Sequence, residues 1–115
     1  MNRNFRLKQS TDFKRVRRSG KSYAHPFIVL VVLPAESENT LFGVTAGSSV
    51  GGAVQRNRAK RLIREAIRPL LPKIRPGWKL VLIARKPIIA AELSDIQTSL
   101  QELFTRAHVL NDSNE

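Results

Sequence analysis

The 115 residues set twenty Lys and Arg against nine Asp and Glu, a formal net charge of +11. With 42% hydrophobic residues the chain holds too much apolar surface for a disordered basic tail, and its length suits one domain spanning residues 1–115. The absence of cysteine excludes a disulfide scaffold, a thiolate zinc site and a cysteine nucleophile.

The first ten residues, MNRNFRLKQS, are basic but lead into no apolar stretch with a cleavage site, so they do not read as a secretory signal. Ser10-Thr11-Asp12-Phe13 reads as a helix start, with Ser10 or Thr11 as N-cap and Asp12 near the positive end of the helix dipole. Ser19-Gly20 stops that helix. Phe13 and Val16 lie three apart and face inward, while Lys14, Arg15, Arg17 and Arg18 occupy the other sides. Pro26 to Pro34 is an apolar, β-branched strand buried on at least one face, and it is far shorter than the roughly 20 residues a membrane helix needs. Leu41 to Ala46 is a second strand. The loop Ala35 to Thr40 is of hairpin length, which predicts antiparallel pairing of these two. Trp78 to Ala84 follows the turn signal Pro76-Gly77 and is a third clear strand. Ser94-Asp95-Ile96-Gln97 reads as a capping box opening a last helix, with Ile96, Leu100, Leu103, Phe104 and Ala107 on its core face. Its other face is polar. The tail Asn111 to Glu115 is expected to fray, and the default compartment is the cytoplasm.

The charge is unevenly spread. Residues 1–34 carry +7, 35–55 carry −2, 56–86 carry +10 and 87–115 carry −4. Two dense cationic blocks set among weakly acidic ones imply an oriented surface for a polyanion, and counterion release from a nucleic acid backbone rewards that arrangement. An anionic membrane is the rival partner.

The helix signalled between Gly52 and Pro69 carries most of that charge. Ala59, Leu62, Ile63, Ala66, Ile67 and Leu70 form one apolar stripe. Asn57, Arg61, Arg64 and Arg68 form a second stripe well away from it, with Arg58 alongside Arg61 and Lys60 near the border. Glu65 is the only acid between Arg56 and Arg68, so local ion pairs cannot neutralise this face. Arginine forks suit phosphate oxygens and exposed bases. Gly51-Gly52 either admits a phosphate backbone close to the helix N-terminus or forms a simple turn. The apolar stripe has no aromatic residue and suits a sheet better than lipid, which argues against a membrane partner.

Val54-Gln55-Arg56-Asn57-Arg58-Ala59-Lys60-Arg61-Leu62-Ile63-Arg64-Glu65-Ala66 resembles the Arg-Asn-Arg signature helix of the bacterial ribonuclease P protein family. The surrounding order agrees from about Arg6 to Arg106: Asp12-Phe13, Ser19-Gly20, an apolar strand, Phe42-Gly43-Val44, Val50-Gly51, Val81-Leu82-Ile83-Ala84-Arg85 and Glu92-Leu93-Ser94. The resemblance implies an α/β fold, a two-layer α-β sandwich of αβββαβα order, ribosomal S5 domain 2-like, with a left-handed βαβ crossover and an ordered core over about residues 6–108. A third strand is then expected near Thr45 to Val50. It also implies a protein that assists a catalytic RNA in removing 5′ leaders from precursor tRNA. The RNA-subunit contacts carried over are Arg56, Asn57, Arg58, Lys60, Arg61 and Arg64, with Arg68 continuing the stripe. The leader cleft would take Phe13 and the strand beginning at Phe27. Where the family usually has two lysines before the Val-Gly step this chain has Ser48-Ser49, and where it often has aromatics this chain has Arg17 and Val31. Tyr23 and Phe27 are candidates to supply aromatic surface to the cleft, beside a core or edge role for each, and Arg17 to contact phosphate.

The residues offer little for protein-borne hydrolysis. His25 and His108 are far apart in sequence, the acids Glu92, Asp95 and Glu102 decorate the last helix, and no metal-ligand cluster or phosphate-binding glycine loop is present. The resemblance therefore implies that Mg²⁺ is held mainly by the RNA subunit and none by the free protein. The expected partners are ribonuclease P RNA and precursor tRNA, with no membrane and no obligate protein partner. The alternative is a structural RNA-binding module such as a small ribosomal protein, and a protein-only nuclease is a third possibility.

Overall fold

The computed structural model describes residues 10–35 and 40–110, with 10–13 described as backbone only. The expected beginning of the ordered core at Arg6, the loop residues 36–39 and the tail expected to fray lie outside the described residues. Helix α1 (Ser10–Ser19) is followed by strands β1 (Lys21–Ala24), β2 (Ile28–Pro34) and β3 (Leu41–Ala46), helix α2 (Ala53–Ile67), strand β4 (Trp78–Ala84) and helix α3 (Leu93–Ala107). This is the αβββαβα order. Short 3₁₀ segments, Arg68–Lys73 and Lys86–Ala90, lie on either side of β4, each with proline near its start.

The described strands form one sheet in the order β1-β2-β4-β3. The hairpin expected between β2 and β3 does not form. Instead β4 lies between them, antiparallel to β2 with Ile28 opposite Ala84 and Pro34 opposite Trp78, and parallel to β3 with Leu41 beside Lys79. The reason is burial on both faces: Leu80 and Leu82 are wholly covered on one side of β4 and Val81 on the other, which suits a central strand. Loop length favours local pairing but cannot outweigh that burial. Thr40, itself buried, holds the starts of β3 and β4 together, its hydroxyl donating to the Arg75 carbonyl at 2.7 Å and accepting from the Trp78 N–H at 3.5 Å.

The strand expected near Thr45–Val50 is also corrected. Beyond Ala46 the chain turns, with Val50 N–H donating to Gly47 O at 3.1 Å and Gly51 N–H to Ser48 O at 3.1 Å. The remaining strand is β1, an edge strand paired with β2 from Lys21–Val32 to Ala24–Val29. Its residues are largely exposed, so it shows no apolar alternation.

Helices α2 and α3 pack against each other and cover one face of the sheet, α2 over β3 and β4 and α3 over β1 and β2. Phe42, Leu80, Leu82, Ile63, Ile67, Leu100, Leu103 and Phe104 are wholly buried between these layers. On the opposite face α1 lies across β2 and β4, and Val16 buries itself against Val31 and Val81. The N-cap of α3 lies two residues before the expected Ser94: it is Glu92, and Asp95 reaches back to accept the Glu92 N–H at 2.9 Å. His108 ends it in the left-handed conformation (φ 57°), with Val109 N–H returning to Phe104 O at 3.2 Å.

Gly20 sets how closely α1 approaches the sheet. A Cβ there would stand 2.5 Å from Val16 O and 2.7 Å from both Val31 Cγ1 and Val32 O, and two of these neighbours are backbone. Gly20→Ala is therefore expected to lower unfolding stability by roughly 1–3 kcal/mol, read as a lower urea midpoint at unchanged m-value.

Candidate nucleic-acid interface

Helix α2 turns its two stripes in opposite directions. Ala59, Ile63, Ala66 and Ile67 are buried, and this anchors the helix through aliphatic contact with the sheet and α3. Asn57, Arg61 and Arg68 are consequently exposed, while Arg56, Arg58, Lys60 and Arg64 are half-buried along the flanks. The spacing 56, 60, 64, 68 places four cations one turn apart. Like charges at that separation cost roughly 0.2–0.5 kcal/mol per pair in an isolated helix. Relief from within the chain is limited. Glu65 accepts from Arg68 at 3.2 Å, an exposed pair of the kind that contributes at most about 1 kcal/mol. Among the described residues, no ion-pair partner is seen for Arg56, Lys60 or Arg61.

Arg58 behaves differently from its neighbours. Its Nη1 donates to Ile89 O at 3.3 Å and its Nη2 to Ala91 O at 3.1 Å, tying α2 to the segment that leads into α3. Its spacing alone groups it with Arg61 as a solvent-facing cation. A helical wheel does put Arg58 beside Leu62 at the stripe border, but the carbonyls it reaches are 31 and 33 residues away and carry no sequence signal.

The helix start favours the turn reading of Gly51-Gly52. Gly51 has φ 143°, a conformation that favours glycine, and Gln55 Oε1 already accepts the Gly52 N–H at 2.8 Å. The chain satisfies this amide itself. Val54, in the first turn, is 82% exposed and stands beside the cationic face.

On the opposite side of the sheet, α1 exposes Lys14, Arg15, Arg17 and Arg18. Next to it lie Val29, Leu33, Leu41 and Ile83, half-buried around Val16, Val31 and Val81. This is an aliphatic floor with cations along one wall. Phe13 belongs to α1, but its side chain is outside the described residues. Tyr23 and Phe27 do not join this surface. Tyr23 pairs with Leu30, and strand alternation sends both to the α3 side, where Tyr23 packs on the main core. Lys21 Nζ stands 5.5 Å and the Arg106 guanidinium 5.9 Å from its ring centroid. Phe27 also packs on the main core, its ring 5.6 Å from that of His25. With β1 unrecognised in the sequence, the side on which Tyr23 would fall was not readable.

The histidines have local structural roles. His25 Nδ1 accepts the Phe27 N–H at 3.3 Å and its Nε2 lies 3.7 Å from Glu102, whereas His108 is the C-cap of α3. No group of three or more His, Asp or Glu among the described residues is placed to hold a metal ion. No helix among them is long and apolar enough to cross a membrane.

Comparison with known proteins converges on one family. The family model for ribonuclease P matches residues 1–108. The chain is 39% identical to the ribonuclease P protein component of Herpetosiphon aurantiacus over 97% of its own length and 91% of that protein's. It is 38% identical to that of Clostridioides difficile over 94% and 96% of the two chains. Its fold is similar to that of the Staphylococcus aureus RNase P protein (TM-score 0.83, 30% identity, 93% and 98% of the two chains). The Thermotoga maritima RNase P protein is also similar (TM-score 0.78, 26% identity, 88% and 96%). A cationic helix with few internal partners, set on this sheet and matched along nearly the whole sequence, establishes that the chain belongs to the ribonuclease P protein component family.

Proposed function

We propose that the chain acts in tRNA 5′-end maturation by docking the outward face of α2 on the catalytic RNA of ribonuclease P. The 5′ leader of precursor tRNA then lies along the sheet face beside α1. The observation that carries this reading is that the buried aliphatic stripe turns Arg61 outward and leaves Arg56 and Lys60 half-exposed on its flank, none of the three with an acidic partner among the described residues. Asn57, Arg64 and Arg68 extend the same surface. Docking exchanges intrahelical repulsion for attraction to phosphates and releases their counterions.

For the leader, Arg17 supplies a phosphate-binding group, and the half-buried Val29, Leu33, Leu41 and Ile83 supply an apolar floor. Phe13 belongs to the same reading as the aromatic candidate. Tyr23 and Phe27 pack against the main core, and this reading does not use them. The protein's role is electrostatic and positional. Mg²⁺ would be held mainly by RNA oxygens and would supply charge stabilisation at the scissile phosphate, the side chains of this chain serving to neutralise and position the RNA around it. The polypeptide is thus the accessory subunit of an endoribonuclease, and it works in the cytoplasm, where precursor tRNA is made.

The test is reconstitution with ribonuclease P RNA at low Mg²⁺. The protein is expected to lower the Mg²⁺ concentration needed to cleave precursor tRNA, and an unchanged requirement would refute the reading. Arg61→Ala with Arg64→Ala should flatten the salt dependence of RNA binding by about one unit per lost phosphate contact. Ile63→Ala, on the buried side of the same helix, should instead cost about 2–5 kcal/mol of unfolding stability. Undiminished RNA affinity in the double arginine variant would place the RNA on another face.

A further inference from the structure

We propose that Arg58 is a positioning residue that sets the roll of α2, and with it the aim of the outward arginines, and that it does not itself bind phosphate. The inference rests on the reading that α2 docks on RNA, and it separates Arg58 from the residues with which the signature groups it.

Three observations carry it. First, both terminal nitrogens of Arg58 are engaged, one by Ile89 O at 3.3 Å and the other by Ala91 O at 3.1 Å. These carbonyls lie at the end of the 3₁₀ segment Lys86–Ala90, where helix geometry leaves acceptors without intrahelical donors. Moving the guanidinium to a phosphate would leave both without this donor. Second, the acceptor segment is anchored on both sides of Ile89, whose own side chain is exposed. Ile88 and Ala91 are buried, Ala91 N–H donates to Ile88 O at 3.0 Å, and α3 begins two residues later at Leu93. Arg58 is therefore tied to the rigid entry of α3.

Third, its place on the helix gives the tie leverage. At about 100° per residue, Arg58 lies beside Leu62 on one border of the buried stripe, Arg56 and Lys60 lie beside Ile67 on the other, and Asn57, Arg61, Arg64 and Arg68 cluster between the borders on the outward side. The buried aliphatic stripe sets which side of the helix faces the core, but van der Waals contact is not directional and Ala59 and Ala66 are small. A directional, two-pronged tether at one border narrows the angle the helix adopts within that side. Lysine, with a single compact ammonium, cannot reproduce a planar fork across two carbonyls.

The experiment compares wild-type protein with Arg58→Lys, Arg58→Met and Arg61→Ala, measuring affinity for ribonuclease P RNA across a series of KCl concentrations at a temperature where urea unfolding shows every variant folded. A positioning role predicts that both Arg58 variants lose affinity by roughly tenfold, the size expected when a hydrogen-bonded tether to a charged group is lost. The slope of log affinity against log salt stays at the wild-type value, and lysine does not rescue. Arg61→Ala flattens that slope by about one unit. A flattened slope in Arg58→Met with affinity restored by Arg58→Lys would overturn the inference, because Arg58 would then be a phosphate contact. Lower stability with unchanged affinity of the folded variants would overturn it also, because the tether would then serve the fold alone. Wild-type protein that fails to bind this RNA would refute the docking reading itself, and the inference with it.

Discussion

Burial of Ala59, Ile63, Ala66 and Ile67 against the sheet and α3 is the constraint on which the rest depends. A helix has one set of directions, so fixing the apolar stripe in the core also fixes where Arg56, Lys60, Arg61 and Arg68 point. The stripe gains free energy by leaving water. Part of that gain offsets the repulsion among cations that follow one another at one-turn spacing with Glu65 as the only acid in their span. Folding thus presents an electrostatic surface that stays unfavourable until a polyanion meets it.

The strand order distributes the two cationic blocks. Because β4 inserts between β2 and β3, both faces of the sheet centre are apolar: Leu80 and Leu82 pack under α2 and α3, while Val81 meets Val16 of α1. The block on α1 and the block on α2 therefore lie on opposite faces of one sheet. The chain thus carries two separate cationic surfaces, one on each side of the sheet. The parallel β3–β4 pair needs a long connection, and α2 is that connection.

Much of this was legible in the residues. The 3.6-residue period of α2 and α3 and the apolar runs of β2, β3 and β4 each record burial, and burial leaves a pattern. Pairing leaves none: nothing in Leu41–Ala46 distinguishes a hairpin partner of β2 from a parallel neighbour of β4, since either position requires the same apolar side chains. Lys21–Ala24 was missed because an exposed edge strand has no core face to mark it. That omission carried over to Tyr23, whose direction depends on the pairing with Leu30. By spacing Arg58 groups with the outward cations, because its acceptors are backbone carbonyls, which every residue has.

The central claim is that the outward cations of α2 are held for an RNA and are not a stabilising part of the free protein. The most direct measurement replaces Arg56, Lys60 and Arg61 together with glutamine and follows both unfolding stability and the salt dependence of binding to ribonuclease P RNA. The account predicts stability equal to or above that of the wild type, with a salt slope shallower by roughly two to three units. A variant that loses stability while keeping the wild-type slope would contradict it.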